Sequence, residues 1–453
     1  MNSFLFDEFK EVTPAAWKQK IQVDLKGDDY NNALLWKTDE GIVVKPFYTK
    51  EDRTHHKLEI PEKGFNICQT IFVDDEKIAN SIAVDAIKRG VNSIQFVANS
   101  SFNYKILLEN LDIKLTILYF KFNFLNEEFQ IEIASFVDSK NTYFQTDIIG
   151  NLAESGKWFI SLKEDHKKLM DIIKSSDNCI SVSGDLYQNA GANCTQQLAY
   201  SLAHAHEYLN YFGKEVIEKI HFTFSVGTNY FFEIAKLRAF RLLWKTLTKE
   251  YEADNSEAHI FVQSSLRNKT LYDYNVNMLR TTSESMSGIL GGANTISTIP
   301  YDTIYHKSNE FGERIARNQL LILQQESYLK EAQNFADGAY YVESLTTQLA
   351  EHSLAIFKQI EKGGGFTKQL KEGIIQRKIN DTALKEAIDF NNNKIKLLGT
   401  NSQPNRNDKM KDNLELYPFV KQRNIKTLIT PIIRKRLSES FEKERLESEK
   451  AFD

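Results

Sequence analysis

Residues 179–227 carry the pattern that decides the fold. They begin with CISVSG (179–184), continue through TQQLAYSLAHAHEYLNYF (195–212) and end in HFTFSVG (221–227). The first and last runs are short and rich in β-branched and aromatic residues, as strands are, whereas the middle run has the length and apolar spacing of a helix. This order predicts two parallel strands joined by a right-handed helical crossover.

The same alternation extends in both directions along the chain. Eight strand-like runs alternate with helix-like segments: Asn66–Phe72, Ser93–Ala98, Lys114–Phe120, Phe144–Ile149, Cys179–Gly184, His221–Gly227, Ala258–Ser264 and Asn294–Pro300. Eight such units are what a closed barrel of this class requires, so we predict an α/β fold, a (β/α)8 TIM barrel. A doubly wound open sheet is the alternative, since it would accommodate two miscounted strands.

Segments of different character flank this alternating region. We predict an N-terminal arm at residues 1–60, the barrel at 61–400 with a helical extension after its eighth strand, and a charged C-terminal tail at 401–453. The arm begins with a helix in which aromatic and apolar residues recur, and these residues pack on another subunit or on the barrel itself: Phe4, Phe6, Phe9, Val12 and Trp17. The tail RKRLSESFEKERLESEKAFD (434–453) has the charge density of a solvated terminal helix.

Composition and charge exclude several classes of protein. The 57 basic and 61 acidic residues give a net charge of −4, so there is no basic surplus to neutralise nucleic-acid phosphates. Apolar stretches fall far short of the roughly 20 residues that span a bilayer, and the first residues do not resemble a signal peptide. Cys68, Cys179 and Cys194 lack CxxC spacing, which is typical of reduced, buried thiols. We predict a cytoplasmic globular protein that binds neither nucleic acid nor membrane.

The strand ends contain few groups for catalysis. Barrel enzymes place their chemistry at the carboxyl ends of the strands. Asp185 is the only carboxylate directly at such an end, and no histidine or lysine accompanies it at another. The sequence also lacks HExxH, GxxxxGK[ST] and a GxGxxG after a strand, so the residues alone predict neither a metal site nor a catalytic set.

Small hydroxyl residues alternate with apolar ones in several predicted strands. The residues concerned are Ser181, Ser183, Thr223, Ser225, Ser264 beside Gln263, Thr295 and Ser297. Alternation places each pair on one face of its strand. If that face points inward, the barrel has an open polar channel in place of the usual bulky layers; if it points outward, the hydroxyls contact the helices.

Several long segments resemble the acyl-CoA mutase barrel of the methylmalonyl-CoA mutase family. They include CISVSGDLYQNAGANCTQQLAYSLAHAHEYL (179–209), TNYFFEIAKLRAFRLLWKTL (228–247) and DGAYYVESLTTQLAEHSLAIFKQIEKGGG (337–365). The likeness runs from about Asn66 to about Leu398. The arm segment AAWKQKIQVDLKGDDY (15–30) is similar to the small (beta) subunit of the heterodimeric bacterial enzyme.

The resemblance implies a reaction, a cofactor and a partner. The family interconverts methylmalonyl-CoA and succinyl-CoA with an adenosylcobalamin radical, and its coenzyme A threads along an axis lined by small hydroxyl residues, which favours the channel interpretation. Cobalamin sits between the barrel and a flavodoxin-like domain that carries a DxHxxG motif. This sequence has no DxHxxG and no such domain. The resemblance therefore implies that adenosylcobalamin is bound mainly by a catalytic large (alpha) subunit.

Departures from the family pattern fall at its catalytic positions. The Tyr-His pair that follows the ISxSG strand is replaced by Asp185 and Leu186, and the histidine of the RTHSQTSG-type strand is replaced by Phe261. Gln263 and Ser265 are retained in that register, and the resemblance makes them candidate substrate-binding residues. We therefore expect no catalytic residue and no metal site in this chain, which would act as a non-catalytic small subunit, inactive alone, with acyl-CoA bound in the complex.

Two other functions stay open on the sequence. One is a catalytic acyl-CoA mutase barrel that works with a separate cobalamin-binding polypeptide, although Asp185, Leu186 and Phe261 argue against it. The other is a stand-alone CoA-binding or assembly protein without isomerase involvement.

Overall fold

Eight parallel strands form a closed barrel. The computed structural model describes residues 7–451 except 59, 62–63, 255, 332–333 and 422–424. After a short antiparallel pair in the arm, β1 (Trp36–Lys37) and β2 (Val43–Val44), come the barrel strands β3 (Asn66–Phe72), β4 (Ser93–Ala98), β5 (Ile117–Phe122), β6 (Thr142–Phe144), β7 (Ile180–Ser183), β8 (Ile220–Val226), β9 (Ile260–Ser264) and β10 (Thr295–Ser297). Their order is β6-β5-β4-β3-β10-β9-β8-β7.

The first and last strands of that order also meet. The amide of Ser181 donates to the carbonyl of Thr146 at 2.9 Å, and the amide of Phe144 donates to the carbonyl of Asn178 at 2.9 Å. These bonds join β6 to β7 and leave no open edge there. The TIM-barrel prediction is confirmed, and the doubly wound sheet is wrong.

All eight predicted strands overlap an observed one, and the fourth deviates most. It was expected at Phe144–Ile149, but the strand ends at Phe144 and a helix runs from Ile148 to Ser155. Asp147 caps this helix, because its side chain accepts a hydrogen bond from the amide of Gly150 at 2.7 Å. A capping carboxylate thus ends the strand early.

Helices surround the barrel and extend it at both ends. The arm contains α1 (Pro14–Asp24) and α2 (Tyr30–Leu34). The barrel region contains α3 (Glu76–Lys88), α4 (Tyr104–Leu107), α5 (Glu127–Phe136), α6 (Ile148–Ser155), α7 (Leu162–Ser175), α8 (Gly184–Ala190), α9 (Cys194–Phe212), α10 (Tyr230–Lys249), α11 (Val276–Leu290) and α12 (Glu310–Gln325). The extension contains α13 (Tyr340–Lys362), α14 (Phe366–Lys371), α15 (Ile374–Asn391) and α16 (Glu439–Ala451).

Buried apolar side chains of the described residues form three clusters, two of which include residues of the barrel strands. The main core lies between the strands and the helices and includes Phe96, Phe120 and Trp244. A small second cluster of Cys68, Tyr119 and Phe261 forms apart from it, inside the barrel. All three cysteines are free and buried, as predicted.

The N-terminal arm leaves aromatic surface exposed. Helix α1 has no buried residue, and Phe9 and Trp17 are 68% and 52% exposed. Phe4 and Phe6 lie outside the described residues. The described part of the first helix therefore does not join the core of its own barrel.

The C-terminal tail packs against the barrel. Residues 427–438, which we call the C-terminal strap, cross the ends of the barrel strands, with the amides of Ile432, Lys435 and Leu437 donating to the carbonyls of Ala153, Asn189 and Arg267. Helix α16 then buries Glu442 and Leu446. The expected solvated terminal helix is wrong for one face, because Arg436 and Glu442 pair in the interior, whereas Lys443, Glu444 and Glu447 are exposed as expected.

Among the helices that the structure describes, none combines the length and apolarity that crossing a bilayer would require.

Candidate functional site

A layer of hydrogen-bonded polar side chains crosses the barrel near the carboxyl ends of the strands. Gln95 of β4 lies at its centre: its Oε1 accepts from Thr70 Oγ1 at 2.7 Å and from Gln263 Nε2 at 3.1 Å. Its Nε2 donates to Gln145 Oε1 at 2.5 Å, and Gln145 Nε2 donates to Thr223 Oγ1 at 3.3 Å. Four strands and the loop after β6 thus send side chains to one network, which we call the glutamine layer.

Beneath the glutamine layer lies a layer of aromatic rings. Tyr119 Oη is 2.8 Å from His259 Nε2 and 2.7 Å from Thr295 Oγ1. The rings of Tyr143 and His259 stack with centroids 4.0 Å apart, and Phe261 packs on Tyr119 at 4.6 Å. This aromatic layer occupies the part of the axis nearer the amino ends of the strands.

These two layers settle how the small hydroxyls are used. Thr223, Thr295 and Ser297 point inward, since each bonds to a side chain within the barrel. The inward interpretation is therefore right for them. Among the described residues, the glutamine layer and the aromatic layer cross the axis along which an open channel was expected.

Two buried histidines in this interior are held neutral. Burial lowers the pKa of His221 to about 4. For His259 burial, with the nearby His221 and Arg241 charges, lowers the pKa well below its usual value. A charged imidazole stacked among aromatic rings would lack the solvation that water gives it.

Acidification is expected to destabilise the fold through these histidines. In the unfolded chain a histidine has a pKa near 6.5, whereas buried His221 has a pKa of about 4. Between these two pH values the unfolded state binds a proton that the folded state does not bind. The free energy of unfolding therefore falls as the pH is lowered from about 6.5 to about 4. His221 alone should lower the free energy of unfolding by roughly 2 kcal/mol between pH 7 and pH 5. Urea unfolding at both pH values measures this, and His221→Gln should flatten the dependence. An unchanged slope in that variant, matching the exposed control His55→Gln, would contradict it.

Asp185, Leu186 and Phe261, which the resemblance places at the family's catalytic positions, all lie in the interior of the protein. Asp185 begins α8, is 2% exposed and accepts a hydrogen bond at 2.6 Å from Nη1 of Arg434 in the C-terminal strap. Arg434 also pairs with Glu154. Leu186 is part of the main apolar core, and Phe261 is part of the cluster inside the barrel. Within the described part of the chain, none of the three is paired with a histidine or a lysine.

Both candidate substrate-binding residues contact other side chains of the chain. Gln263 donates to Gln95 within the glutamine layer. Ser265 lies above it, where its Oγ donates to Gln188 Oε1 at 2.9 Å and accepts from the Arg267 amide at 3.0 Å. Sequence reasoning missed Gln95, Gln145 and Tyr119. A signal for Gln95 and Tyr119 was present in the sequence: each is a long polar or aromatic residue within an otherwise mostly apolar strand, which indicates a side chain that reaches into the barrel interior.

Fold and site together define a (β/α)8-barrel protein whose axis is crossed by hydrogen-bonded side chains and in which, among the described residues, no histidine or lysine pairs with Asp185, Leu186 or Phe261. The sequence profile described as methylmalonyl-CoA mutase matches residues 132–450. The methylmalonyl-CoA mutase small subunit of Porphyromonas gingivalis is 31% identical over 99% of this chain and 78% of its own length. The chain belongs to the methylmalonyl-CoA mutase family, which places it among isomerases of the mutase kind.

Other relatives show which part of the family's proteins this chain represents. The methylmalonyl-CoA mutase of Cereibacter sphaeroides is 28% identical over 85% of this chain, and the large subunit of Streptomyces virginiae is 32% identical over 49% of it. The chain spans 64% of the first of these relatives and 32% of the second. It therefore corresponds to most of the small subunit and to a smaller share of these mutases.

Proposed function

We propose that this chain is the small, non-catalytic subunit of an adenosylcobalamin-dependent methylmalonyl-CoA mutase, which isomerises methylmalonyl-CoA to succinyl-CoA. The observation that carries the proposal is the set of hydrogen-bonded side chains that crosses the barrel axis. Coenzyme A needs that axis in the catalytic members, and here Gln95, Gln145 and Tyr119 occupy it. Opening it would break a satisfied buried network, which costs more than its pairwise bonds suggest.

The cofactor is assigned mainly to the large subunit. The resemblance implies that cobalamin sits against the barrel, and barrel enzymes place their chemistry at the carboxyl ends of the strands. In this chain the C-terminal strap crosses that face, and Arg434 joins Asp185 to Glu154 there. These residues do not fit adenosylcobalamin, so no catalytic step is assigned to it on this barrel.

Gln263 and Ser265 are assigned a supporting role in this proposal. The resemblance gives each the residue type of the catalytic members, and Gln263 Nε2 and Ser265 Oγ both bond to neighbours in the barrel. Contact with acyl-CoA would require both side chains to exchange these partners. We therefore place the acyl-CoA of the complex in the large subunit.

The N-terminal arm supplies the proposed contact with the large subunit. Its exposed aromatic residues include Trp17 and Trp36, at 52% and 51% exposure. Trp17 makes an edge-on contact with Phe47, with ring centroids 6.3 Å apart. Exposed aromatic rings are typical of protein interfaces. The arm (1–60), barrel (61–400) and tail (401–453) are proposed as the domains, and the cytoplasm as the location.

A mutase assay with the separate and combined subunits tests the proposal. With adenosylcobalamin and methylmalonyl-CoA, we expect no turnover by this chain alone and turnover when the cognate large subunit is added, with both chains eluting together. Trp17→Ala should weaken co-elution, because it removes an exposed aromatic contact. Leu115→Ala, which shortens an apolar residue 78% exposed outside the arm, is the matched control.

Two outcomes of this assay would overturn the proposal. Turnover by this chain with only a small cobalamin-binding polypeptide would make it a catalytic barrel. Failure to co-elute with the large subunit under any condition would favour a stand-alone protein.

A further inference from the structure

The outer side of the C-terminal strap exposes apolar side chains. Leu428 is 70% exposed and Ile433 is 53% exposed, whereas Ile429 and Ile432 of the same segment are buried in the main core. The backbone holds the segment in place, since the amide of Leu428 donates to the carbonyl of Gly156 at 2.9 Å. Two large aliphatic side chains are therefore fixed on the outside of the strap, although the strap buries others of the same kind.

Two other segments meet the strap at this surface. The loop after α6 lies beside it through Gly156, whose carbonyl accepts from two strap amides. Helix α15 lies beside it through Gln376, whose Nε2 donates to the carbonyl of Thr430 at 2.9 Å. The loop also contributes Ile160, which is 58% exposed. We call the exposed side chains of these three segments the strap surface; the segments are residues 156–163, 373–378 and 427–438.

The strap surface is strongly basic. Its three segments contain seven basic residues and no acidic one. Arg434 and Arg436 are directed inward, where they pair with Asp185 and Glu442. The other five are exposed, and none of them forms an ion pair within the described part of the chain: Lys157, Lys163, Arg377, Lys378 and Lys435. These bases outnumber the acids that border the segments at the surface, Glu164 and Glu372.

Helix α15 connects the strap surface to the N-terminal arm. Its Gln376 bonds to the strap, and its Lys385 pairs with Asp39 of the arm at 2.5 Å. With a rise of about 1.5 Å per residue, these two contacts lie roughly 13 Å apart along the helix. An interface of ordinary size, about 800 Å² on each partner, spans such a distance. One partner is therefore able to contact both the arm and the strap surface.

We propose that the strap surface binds an acidic and apolar surface of a partner protein, which in the complex proposed above belongs to the large subunit. The inference rests on that proposed function and adds a second contact to the arm. Unpaired bases attract the carboxylates of a partner, and exposed aliphatic side chains mark a surface that a partner covers. A membrane is the less favoured occupant, because the chain has a net charge of −4 and the strap is not an amphipathic helix.

Biolayer interferometry with the full chain and the purified cognate large subunit tests the strap surface. The double variant Lys157→Glu, Lys435→Glu should bind at least about tenfold more weakly, since it sets like charges against the acidic partner. Leu428→Ala should weaken binding about threefold or more, because it removes an apolar contact. The double variant Lys88→Glu, Lys114→Glu makes the same charge change at exposed positions elsewhere on the barrel and should bind as the wild type does.

Salt provides a second readout of the same contact. Raising sodium chloride from about 50 to about 300 mM should weaken binding of the wild-type chain more than binding of the Lys157→Glu, Lys435→Glu variant, since salt screens exposed charges. All the substituted side chains are exposed, and circular dichroism checks that each variant is folded.

Three outcomes would overturn the inference, and they differ in what they leave standing. If the complex forms and the Lys157→Glu, Lys435→Glu variant binds as tightly as the Lys88→Glu, Lys114→Glu control, the strap surface is no contact and the subunit role still stands. Absence of any complex with the wild-type chain would overturn both. Unchanged affinity for the large subunit, with binding to vesicles of phosphatidylserine and phosphatidylcholine that the first variant loses, would assign the surface to a membrane.

Discussion

Replacing Asp147 by alanine is expected to lower the free energy of unfolding by about 3–5 kcal/mol. The Asp147 carboxylate is 8% exposed and accepts four hydrogen bonds. Oδ1 accepts from the Gly150 amide at 2.7 Å, from His204 Nε2 at 2.9 Å and from Tyr208 Oη at 2.8 Å, and Oδ2 accepts from the Ser183 amide at 2.9 Å. It therefore joins α6, α9 and the end of β7. Alanine would leave all four donors buried without their acceptor.

The charge of Asp147 is as important as its shape. Burial alone would raise the pKa of this carboxyl, but the charge of His204 and the donated hydrogen bonds outweigh burial and hold the pKa below its ordinary value. Asp147→Asn, which keeps the shape and loses the charge, should therefore also be strongly destabilising.

Urea unfolding followed by circular dichroism measures both effects. Asp171→Asn is the surface control, because its carboxylate forms a solvent-exposed pair with Lys174 and such pairs contribute little. A loss for Asp147→Ala no larger than the loss for this control would show that the four hydrogen bonds do not stabilise the fold.

Asp147 also illustrates why the strands could be predicted better than their ends. The runs around Phe96, Phe120 and Val226 bury side chains on both faces, so local composition was enough to place them in strands. Around Phe144 the apolar run continues into a helix, and apolar residues alone do not distinguish the two states. The distinguishing group was the capping carboxylate, whose partners Ser183, His204 and Tyr208 come from later elements.

For the barrel interior, the sequence predicted the direction of some hydroxyl side chains but not the side chains that they contact. Strand alternation correctly placed Thr223 and Ser297 on an inward face. It could not show what they face, because the glutamine layer joins residues as distant in sequence as Gln95 and Gln263. Whether an axis is open depends on side-chain lengths summed over all eight strands. Such a sum needs the register between strands, which no single segment contains.

The tail was mispredicted for a different physical reason. Its charge density is typical of a solvated helix. The sequence pattern shows where charged residues occur, but it does not show which of them form ion pairs in the folded protein. In the structure Glu442 is fully buried, and its carboxylate accepts hydrogen bonds from Arg436, from Ser438 Oγ and from the backbone amide of Leu271. Charges that satisfy one another in the interior have the same sequence pattern as charges that face water.

Replacing Glu442 by alanine is expected to release the C-terminal strap from the barrel. The carboxylate accepts from Ser438 Oγ at 2.8 Å and from the amide of Leu271 at 2.8 Å, and it forms an ion pair with Arg436, which is 6% exposed. Its removal leaves a buried guanidinium without its counter-ion, a change that typically costs about 3–5 kcal/mol. The strap makes few apolar contacts of its own beyond Ile429 and Ile432, so we expect local release before global unfolding.

Limited trypsin digestion measures this release, because Arg434 and Lys435 lie within the strap. In the wild-type chain Arg434 is held by Asp185 and Glu154, and the amide of Lys435 by Asn189. Cleavage at these two positions should be at least about tenfold faster in Glu442→Ala, since a loss of 1.4 kcal/mol already changes an opening equilibrium tenfold. Glu444→Ala, an exposed glutamate on the same helix, is the control and should cleave as slowly as the wild type. Equal cleavage rates in the two variants would mean that the strap is held by Arg434 and its backbone bonds alone, and that Glu442 does not anchor it.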